Sequence, residues 1–470
     1  MSNCPQVRPA SRRGFALIAA TWIIIVMVAI TLILAHRMRV ETMASANQVA
    51  RLQADAVERG AEQYVLAVVD NSNGASLGVT SAPAAAVPLG DGYFWILHPD
   101  PNDSANYAFG IADEAAKLNL NAAGADMLMA LSSGIDISIA DSISTWHSAP
   151  GTVTANGAGD SYYMALPQPY HCKSANFESI EELLLVRDVT PDLLFGADTN
   201  RDGVIDPGES ASANVGQSLN ISQDDPRGIA PFVTAWTVEA NSTSSSSPRI
   251  NVNDRNTSQL NTYLQQTLST GRAASIMTMV AIANATRGTR GQTFSNIFDF
   301  YFRAGLAPDE FNKIVDRLTT TARPASGAPS TRTGLINVNT APRQVLRCLP
   351  GLNDTDATSL ITARKAVTDP TNTLAWVVTA LPREKLIPIG NLITSRSYQF
   401  SADIVGVSGD GRAYKRVRIV VDARQSPPTL LYRKDLTDLG WPLDPAIRNS
   451  LRSEKSIGAG NQPGAIRGAL

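Results

Sequence analysis

Apolar residues are most concentrated close to the N-terminus of this chain. Residues 15–35, FALIAATWIIIVMVAITLILA, contain no charged side chain. As a helix rising about 1.5 Å per residue, this segment can span a hydrocarbon core of about 30 Å. It leads directly into His36, Arg37 and Arg39, whereas a secretory signal peptide has a shorter apolar region followed by small residues. The pattern therefore predicts one transmembrane segment at residues 15–35.

The helical pattern continues beyond this segment. Apolar residues recur mostly three or four positions apart, with one short gap, at Val49, Leu52, Ala56, Ala61, Tyr64, Val65 and Val68. The spacing predicts a single helix that ends near Val69 and measures about 80 Å by its rise. A rod of that length cannot be buried in one globule, so we expect one half in lipid and the other packed on a folded domain.

Two regions beyond the helix have the composition of β-strands. Residues 92–98 and 107–111 are rich in aromatic and aliphatic side chains, and a segment rich in Pro, Asn and Asp lies between them, which predicts a hairpin. Near the C-terminus, residues 398–407, 413–421 and 430–433 have the same character. The long region between the two sets has mainly helical patterns.

Length and composition indicate a folded protein with more than one packed unit. At 470 residues the chain exceeds the roughly 250–300 residues that one core usually supports. Hydrophobic residues make up 44% and charged residues 17%, and the net charge of −2 gives no positive field to attract nucleic acid. The three cysteines form no C-x-x-C pair. Cys172 and Cys348 leave two interpretations open, a disulfide or two buried thiols.

The strongest chemical motif is an acidic loop at residues 198–209, DTNRDGVIDPGE. Its spacing is that of an EF-hand calcium loop, with Gly203 at the sixth position, and calcium prefers about six to eight hard oxygen ligands. The predicted ligands are the side chains of Asp198, Asn200, Asp202, Asp206 and Glu209 and the backbone carbonyl of Val204. A solvated acidic loop is the alternative. Because the sequence contains no second such loop, we expect a structural ion rather than a sensor site.

A short asparagine motif occurs three times, at residues 118–121, 250–253 and 336–339, each time before an apolar helical pattern. Paired asparagines commonly close a turn and cap the next helix. The last copy, with Leu349-Pro350-Gly351-Leu352, is similar to a helix-hairpin-helix module, which binds DNA phosphates in other proteins. Two aspartates follow this hairpin and would repel phosphate, so a packing module is favoured over DNA binding.

The sequence carries no recognisable catalytic motif. The four histidines lie in unrelated settings, and no nucleophile-elbow, zinc-protease or phosphate-loop pattern occurs. Asp160 and His171 could meet in space, but isolated titratable residues are more often surface or capping residues than catalysts. We therefore expect that the protein is not an enzyme.

A short basic segment, Arg12-Arg13-Gly14-Phe15, opens the apolar run. It resembles the prepilin leader of type IV pilins and type II secretion pseudopilins. The resemblance implies that a prepilin peptidase removes residues 1–14 by cutting between Gly14 and Phe15, and then methylates Phe15. An uncleaved signal anchor is the other interpretation, and it predicts the same helical pattern.

Three further features narrow the resemblance. The fifth residue of the mature chain would be Ala19, where most pilins carry a glutamate that pairs with the free amine of a neighbouring subunit. Residues 113–121, DEAAKLNLN, are similar to a D-E-x-x-K-x-N-x-N segment of the K-type minor pseudopilins of type II secretion, the general secretion pathway protein K family. Residues 157–163, GAGDSYY, are similar to their G-A-E-D-x-Y-Y stretch, with Gly159 in place of the glutamate.

This resemblance implies an α+β fold. A long N-terminal transmembrane and pilin helix would pack on a small antiparallel sheet, with a large inserted, mainly α-helical domain that contains helix-hairpin-helix or SAM-like modules. The expected division is a leader at 1–14, a transmembrane segment at 15–35, the helix continuation and first hairpin at 36–112, an inserted helical domain with the calcium loop at 113–228, further helical modules at 229–394 that include a helix-hairpin-helix-like segment at 336–365, C-terminal strands at 395–435 and a tail at 436–470.

The resemblance also implies a function. A K-type subunit would cap the tip of the periplasmic pseudopilus, initiate its assembly and support protein export, with a structural calcium ion. Its partners would be the I- and J-type minor pseudopilins, the inner-membrane assembly platform and the prepilin peptidase. It would lie in the inner membrane as a single-pass protein with its C-terminal bulk in the periplasm. The alternative is a minor pilin of a related type IV pilus or DNA-uptake filament.

Overall fold

The computed structural model describes most of the chain. The described ranges are 13–71, 82–101, 103–206, 208–209, 225–243, 247–285, 294–322, 330–365 and 373–453. The predicted leader therefore lies outside the described residues except for Arg13 and Gly14, and so does the predicted tail from residue 454 onwards.

One helix, α1 (Arg13–Asp70), contains the whole apolar run and ends one residue beyond the predicted Val69. Within the described residues, it is the helix that is long and apolar enough to cross a membrane. Its most apolar window has a mean hydropathy of 2.9, and none of that window is buried. This half of α1 is compatible with the predicted single-pass anchor.

The C-terminal half of α1 packs on a sheet. Its buried stripe continues to the end of the helix at Val57, Ala61, Val65 and Val69. The predicted stripe began at Val49 and Leu52, and this part of the prediction is wrong, because these side chains are 52% and 59% exposed. The buried positions there are Ala50 and Ala54, where the small side chains allow a close approach between helix and sheet.

The elements after α1 are mostly short. The strands are β1 Val87–Leu89, β2 Gly92–His98, β3 Ala108–Phe109, β4 Ala112–Asp113, β5 Leu118–Asn119, β6 Val233–Thr234, β7 Val238–Ala240, β8 Ile250–Asn251, β9 Leu318–Thr319, β10 Thr331–Thr333, β11 Ile336–Asn337, β12 Ile393–Thr394, β13 Gln399–Val407, β14 Tyr414–Asp422 and β15 Thr429–Asp435. The helices are α2 Ala125–Leu131, α3 Ile137–His147, α4 Asp160–Met164, α5 Pro191–Phe195, α6 Ser258–Thr267, α7 Thr270–Ala285, α8 Ile297–Arg303, α9 Pro308–Ile314, α10 Arg343–Leu346, α11 Asp354–Lys365, α12 Val377–Ala380, α13 Arg383–Ile389 and α14 Pro445–Arg452. Turns of 3-10 helix lie at Glu114–Ala116, Ile180–Leu185, Ala230–Phe232, Val315–Arg317 and Thr437–Leu439.

The longest strands form an antiparallel sheet in the order β1-β2-β13-β14-β15. β3 pairs with β2, and β4 pairs with β13. The predicted hairpin is present as β2 and β3, and the three C-terminal segments are present as β13, β14 and β15. Helix α1 covers one face of this sheet. A second buried cluster includes Trp95 and Val405, which alternate along their strands with the residues that face α1, and Ile447 of α14. Both faces of the sheet are therefore covered.

The chain leaves the sheet after β4 and returns to it at β13. The intervening residues form a mainly helical domain, and most of its buried hydrophobic residues belong to one continuous cluster from Leu118 to Ile393. The two ends of the insertion are held together in the sheet, where Asp113 of β4 pairs with Phe400 of β13. The predicted α+β fold with a large helical insertion is thus confirmed.

Three similar units build the inserted domain. In each unit, the short strand with the asparagine motif pairs in parallel with a strand that returns after intervening helices: β5 with β6, β8 with β9 and β11 with β12. All three returning strands consist of an aliphatic residue followed by threonine, namely Val233-Thr234, Leu318-Thr319 and Ile393-Thr394. The sequence predicted only the first half of each unit, because a two-residue strand far along the chain leaves no local pattern.

Part of the predicted tail is folded, which corrects its assignment as a tail from residue 436. Helix α14 begins after Asp444, whose side chain accepts a hydrogen bond of 2.8 Å from the backbone N–H of Ala446. Leu443, Ile447 and Leu451 are buried in the cluster that includes Trp95. Their four-residue spacing gives this short segment one apolar face, which is why it packs on the sheet.

Candidate functional site

Two carboxylates mark the point at which the chain leaves the sheet. Asp113 ends β4, Glu114 begins the next turn, and both side chains are buried. Asp113 Oδ2 accepts hydrogen bonds from Thr340 Oγ1 (2.5 Å), Ser397 Oγ (2.5 Å) and Asn337 Nδ2 (3.1 Å). Burial raises the pKa of Asp113 because its desolvation outweighs these bonds. Asp113 thus ties the start of the insertion to its last unit.

Glu114 connects the insertion to the sheet. Its Oε1 accepts from Lys117 Nζ (2.5 Å) and from Ser401 Oγ of β13 (2.6 Å), and its Oε2 accepts from the Thr234 hydroxyl. Desolvation alone would raise the pKa of Glu114, but Lys117 and the hydroxyl donors hold it below its usual value. The D-E-x-x-K segment is therefore the anchor of the inserted domain.

The asparagines of the repeated motif close their own turns, as predicted, but the prediction that they cap the next helix is wrong, because those N-caps are Gly124, Thr257 and Pro342. The first asparagine of each copy accepts from the backbone N–H of the second at 2.8–3.0 Å. The second asparagine reaches across its unit. Asn121 exchanges two hydrogen bonds with the backbone of Phe177, and Asn253 does the same with Phe294. These paired bonds join the beginning of the first two units to a later segment, and in the third unit Asn339 instead bonds to the carbonyl of Ser395 and the indole N–H of Trp376.

The predicted calcium loop at residues 198–209 is folded around its own acidic side chains. Asp198 accepts from the backbone N–H groups of Asp202 (3.1 Å) and Gly203 (2.9 Å). Asn200 Oδ1 accepts from the N–H of Asp202 (2.9 Å), and Asp202 Oδ1 accepts from the N–H of Val204 (2.8 Å). Gly203 has a φ of +85°, the left-handed conformation of the sharp turn that a glycine at the sixth loop position predicted.

Glu209, the last predicted ligand, closes the loop. Its Oε1 accepts from the backbone N–H groups of Thr199 (3.0 Å) and Asn200 (3.2 Å), and its Oε2 accepts from the N–H of Asp206 (3.1 Å). The structure therefore brings the six predicted ligand residues into one closed loop. Pro207 lies outside the described residues.

The chemistry of this loop fits a hard divalent cation. Asp198 and Asp202 are buried, and burial raises the pKa of Asp198 to about 6 and that of Asp202 to about 7. Neighbouring desolvated carboxylates are favoured by a positive charge between them. In the part of the chain that the structure describes, no group of three or more His, Cys, Asp or Glu side chains is arranged to hold a metal ion. Calcium binding at this loop stays a prediction.

The arginines of the hairpin that resembles a DNA-binding module interact with other groups of the same chain. Helices α10 and α11 flank a turn in which Gly351 has a φ of +78°. The guanidinium groups of Arg343 and Arg347 lie 3.6 Å and 3.9 Å from the carboxylate of Asp354. Arg347 also donates to the carbonyl of Leu131 at 3.1 Å. Both arginines that could meet phosphate are engaged by protein groups, which favours the packing-module interpretation.

The remaining candidate side chains are separate from the loop. Cys172 and Cys348 are free thiols, so the disulfide interpretation is wrong, and burial raises the pKa of Cys348 to about 12. Asp160 and His171, which the sequence left as a possible pair, do meet, with His171 Nδ1 3.1 Å from Asp160 Oδ1 on the exposed surface. Asp160 also accepts from the backbone N–H of Cys172 at 2.9 Å, which gives it a turn-stabilising role.

Sequence reasoning missed two buried arginines beside the loop, Arg227 and Arg416. Arg416 belongs to β14, and Arg227 follows the insertion's acidic loop. A charged residue within the predicted strand at residues 413–421 was the available signal for Arg416. No comparable local signal marked Arg227.

Residues 111–195 match the family described as type II secretion system (T2SS), protein K. The range begins just before the Asp113-Glu114 anchor and ends with α5, three residues before the calcium loop. Over these residues the chain is similar to the type II secretion protein K family. The K-type resemblance that rested on residues 113–121 and 157–163 is confirmed, since both segments lie inside the match. The protein K family is a structural component of the secretion machinery, and the match supports a minor pseudopilin of type II secretion.

One solved structure with which this chain aligns is the crystal structure of the GspK-GspI-GspJ complex from the enterotoxigenic Escherichia coli type 2 secretion system. The identity is 16% and the TM-score 0.37, and the alignment covers 85% of this chain and 99% of that chain. The comparison with curated protein sequences finds no significant match.

Proposed function

We propose that this protein is the minor pseudopilin that caps the tip of a periplasmic pseudopilus, where it initiates assembly and supports export without catalysis of its own. The observation that carries the proposal is the protein K match at residues 111–195. It is supported by the architecture, in which one long helix has an exposed apolar half and a half packed on a sheet. The proposed location is the inner membrane, with the C-terminal bulk in the periplasm.

The composition of the membrane half of α1 suits a terminal subunit. A carboxylate in lipid is costly unless a partner charge neutralises it. Ala19 stands where most pilins carry such a carboxylate, so this subunit has no need of a neighbour's amine at that level. A position at the end of the filament, where one neighbour is missing, is compatible with that loss.

Processing of the N-terminus tests the pilin assignment. We propose that a prepilin peptidase cuts between Gly14 and Phe15 and methylates Phe15. Mass spectrometry of the N-terminal peptide of the protein purified from its native cells should find Phe15 carrying one methyl group. Recovery of Met1 or Ser2 on every copy, with no processed form, would contradict the assignment and favour an uncleaved anchor.

Assembly with other minor pseudopilins tests the tip assignment. We propose that the I- and J-type minor pseudopilins and the assembly platform are its partners. After co-expression, a tagged copy should retain the I- and J-type subunits through size-exclusion chromatography in detergent. As a control, a tagged major pseudopilin should not retain them in the same amounts. Absence of all minor subunits from the tagged copy would contradict the proposal.

The alternative of a DNA-uptake filament makes a different prediction. It requires salt-sensitive DNA binding that is lost when Arg343 and Arg347 are both replaced by Ala. Because these arginines are paired with Asp354, we expect no DNA retardation by the wild-type protein even at low salt. Retardation that disappears in the double variant would favour the alternative.

We further propose that the loop at 198–209 binds a structural calcium ion. Asp198, Asn200, Asp202, Asp206 and Glu209 would supply side-chain oxygens and Val204 its carbonyl. When bound, the ion would neutralise the buried carboxylates and tie the two ends of the loop together. Isothermal titration calorimetry should detect binding by the wild-type protein and none by Glu209→Ala, with Glu178→Ala, which removes an exposed carboxylate elsewhere, as the control. Equal binding by wild type and Glu209→Ala would contradict this site.

A further inference from the structure

Two arginines beside the loop at 198–209 are almost completely buried. Arg416 is 0% exposed and Arg227 is 1% exposed, which places them among the largest fully buried side chains of the described residues. A guanidinium group is rarely removed from water unless hydrogen bonds and opposite charges compensate for the lost solvation. The partners of these two residues therefore indicate what they hold in place.

Arg416 joins the sheet to the loop. From β14, its Nε and Nη2 donate to both oxygens of Asp403 on the neighbouring strand β13, at 3.0 Å and 2.7 Å. Its Nη1 donates to the backbone carbonyl of Asn200 (2.7 Å), and Nη2 also donates to that of Arg201 (2.6 Å). Arg418 adds a bond of 3.1 Å to the carbonyl of Arg201. Arginines of the sheet therefore hydrogen-bond to the backbone carbonyl groups of the third and fourth residues of the loop, Asn200 and Arg201.

The carboxylate of Asp403, which pairs with Arg416, is stabilised in its charged form. Burial by itself would raise the pKa of Asp403, but the guanidinium groups of Arg416 and Arg418 more than offset it and hold the pKa below its usual value. Asp403 thus fixes the position of Arg416 on the side away from the loop.

Arg227 holds the loop from a second side. Its Nε and Nη2 pair with the carboxylate of Asp225, at 2.8 Å each. Its Nη1 donates to the carbonyl of Gly203 (3.0 Å) and to those of Asp100 (2.7 Å) and Asp103 (3.2 Å), which lie in the connection between β2 and β3. The loop itself also lies close to this connection, because a Cβ on Gly203 would be 2.8 Å from Pro99 Cα.

These bonds fix the backbone of the loop at its third, fourth and sixth residues. The three carbonyl groups are directed to guanidinium groups of the sheet side and of the insertion, while the side chains of Asp198, Asn200 and Asp202 accept from the loop's own N–H groups. A loop that is held in one conformation before a ligand arrives loses less conformational freedom on binding, so its affinity is higher. By linkage, a bound ion then stabilises the same contacts to the same extent.

We infer that Arg416 and Arg227 are positioning residues that couple cation binding at 198–209 to the docking of the inserted domain on the sheet and on the β2–β3 connection. The inference rests on the proposed calcium site. A bound ion would thereby stabilise the contacts of the inserted domain with the sheet and the β2–β3 connection, although neither arginine would be a ligand of the ion.

The test uses the full-length protein in detergent micelles with calcium chloride as the ligand. Calorimetry gives the calcium Kd, and thermal unfolding with excess EDTA gives the stability without calcium. Arg416→Met should weaken calcium binding about tenfold, a size typical of coupling between linked sites. The matched control is Arg424→Met, which removes another arginine–aspartate pair, between Arg424 just after β14 and Asp422 at the end of β14; neither residue hydrogen-bonds to the loop in the structure. Its Kd should stay within about twofold of the wild type.

Arg416→Lys covers the case in which the methionine variant fails to fold. A lysine keeps the charge next to Asp403, but its single ammonium group cannot span the carboxylate and both loop carbonyls. It should keep most of the stability in EDTA and still weaken the calcium Kd, a separation that a purely structural role would not produce.

The outcomes distinguish the two proposals. If wild type binds calcium, Glu209→Ala does not, and Arg416→Lys binds with the wild-type Kd, the coupling is overturned while the calcium site stands. If wild type and Glu209→Ala both fail to bind calcium, the site itself is overturned and the coupling with it. A weaker Kd in both Arg416 variants, with Arg424→Met unchanged, supports the coupling.

Discussion

Buried charged residues are concentrated where the inserted domain meets the sheet. Asp113, Glu114 and Asp403 are all buried. Asp113 and Glu114 each accept hydrogen bonds from at least two side chains in distant parts of the chain, and Asp403 accepts from two arginines of the neighbouring strand. Removing one partner of a buried charge leaves the other uncompensated, which costs more than the bond itself contributes. Such residues therefore fix how the insertion is attached, in addition to stabilising it.

His98 at the end of β2 is a neutral histidine in this region. Its Nδ1 is 2.9 Å from the carbonyl of Pro99, and because a carbonyl only accepts, Nδ1 carries the hydrogen. Its Nε2 is buried and has no hydrogen-bond partner among the described residues. Burial lowers the pKa of His98, and this outweighs the opposite effects of Pro99 and Asp100.

We predict that His98 makes the protein less stable in mild acid. A histidine whose folded-state pKa is lowered contributes its stability above the unfolded-state pKa of about 6.5 and loses it as the pH falls below that value. His98→Gln keeps a neutral donor and should flatten the fall in unfolding free energy between about pH 6.5 and 5.5, measured by urea denaturation. His171→Gln, at an exposed position, is the control. An unchanged slope in His98→Gln would disprove the assignment.

At the scale of elements, the contact between α1 and β13 depends on small residues. Ala50 and Ala54 face the sheet where Val49 and Leu52 were predicted to do so. On the strand, a Cβ at Gly406 would lie 2.7 Å from the backbone N of Glu58 and 2.8 Å from the carbonyl O of Ala54. Backbone atoms cannot move aside as a flexible side chain can, so this approach requires glycine.

We predict that Gly406→Ala loosens α1 from the sheet. The added methyl group should lower the free energy of unfolding by about 1–3 kcal/mol, the usual cost of overpacking. The control is Gly124→Ala, because a Cβ there meets nothing within 4 Å and the φ of −75° is ordinary for alanine. The measurement is urea denaturation of the full chain in detergent. Equal stability of the two variants would mean that the helix does not approach the sheet as closely as the structure shows.

The three units of the inserted domain show how short elements gain stability from tertiary bonds. Two-residue strands are too short to persist alone, yet each asparagine-motif strand pairs with its aliphatic-threonine partner in the same register. In each unit the apolar residue after the first asparagine donates its N–H to the carbonyl of that threonine, at 2.9–3.0 Å. The units therefore share one design despite helices of different length between their halves.

At the scale of the whole molecule, the cysteines report both processing and folding. The chain has three cysteines, of which Cys4 belongs to the predicted leader. Cys348 is buried in the continuous cluster of the inserted domain, and its thiol has a pKa raised to about 12. It should react with a thiol reagent only when the domain unfolds, since the reactive species is the exposed thiolate.

We predict that denatured, unreduced protein from native cells takes up label at two thiols, Cys172 and Cys348. The free thiols of the structure, together with the proposed removal of Cys4 with the leader, predict this number. Intact-mass spectrometry before and after alkylation gives the count, and a reduced sample is the control. Three labels would show a retained leader, and uptake that rises only after reduction would show a disulfide.

The sequence by itself determined the features that depend on local order. The apolar run predicted the apolar half of α1, segments rich in aromatic and aliphatic residues predicted β2 and β13 to β15, and the spacing of residues 198–209 predicted a closed acidic loop around Gly203. Each of these features is written in neighbouring residues, because a helix turn, a strand alternation or a ligand loop has a period of a few positions.

Only the tertiary structure decided which distant residues meet. Arg416 and Asn200 are 216 residues apart in the sequence, and Asp113 and Ser397 are 284 residues apart. The returning strand of each unit likewise follows its partner strand only after many intervening residues. A contact of this kind has no period along the chain, and its stability comes from desolvation and hydrogen bonds that exist only after folding. The face of α1 that packs on the sheet was also decided there, because close approach at Gly406 selected Ala50 and Ala54 over the larger residues beside them.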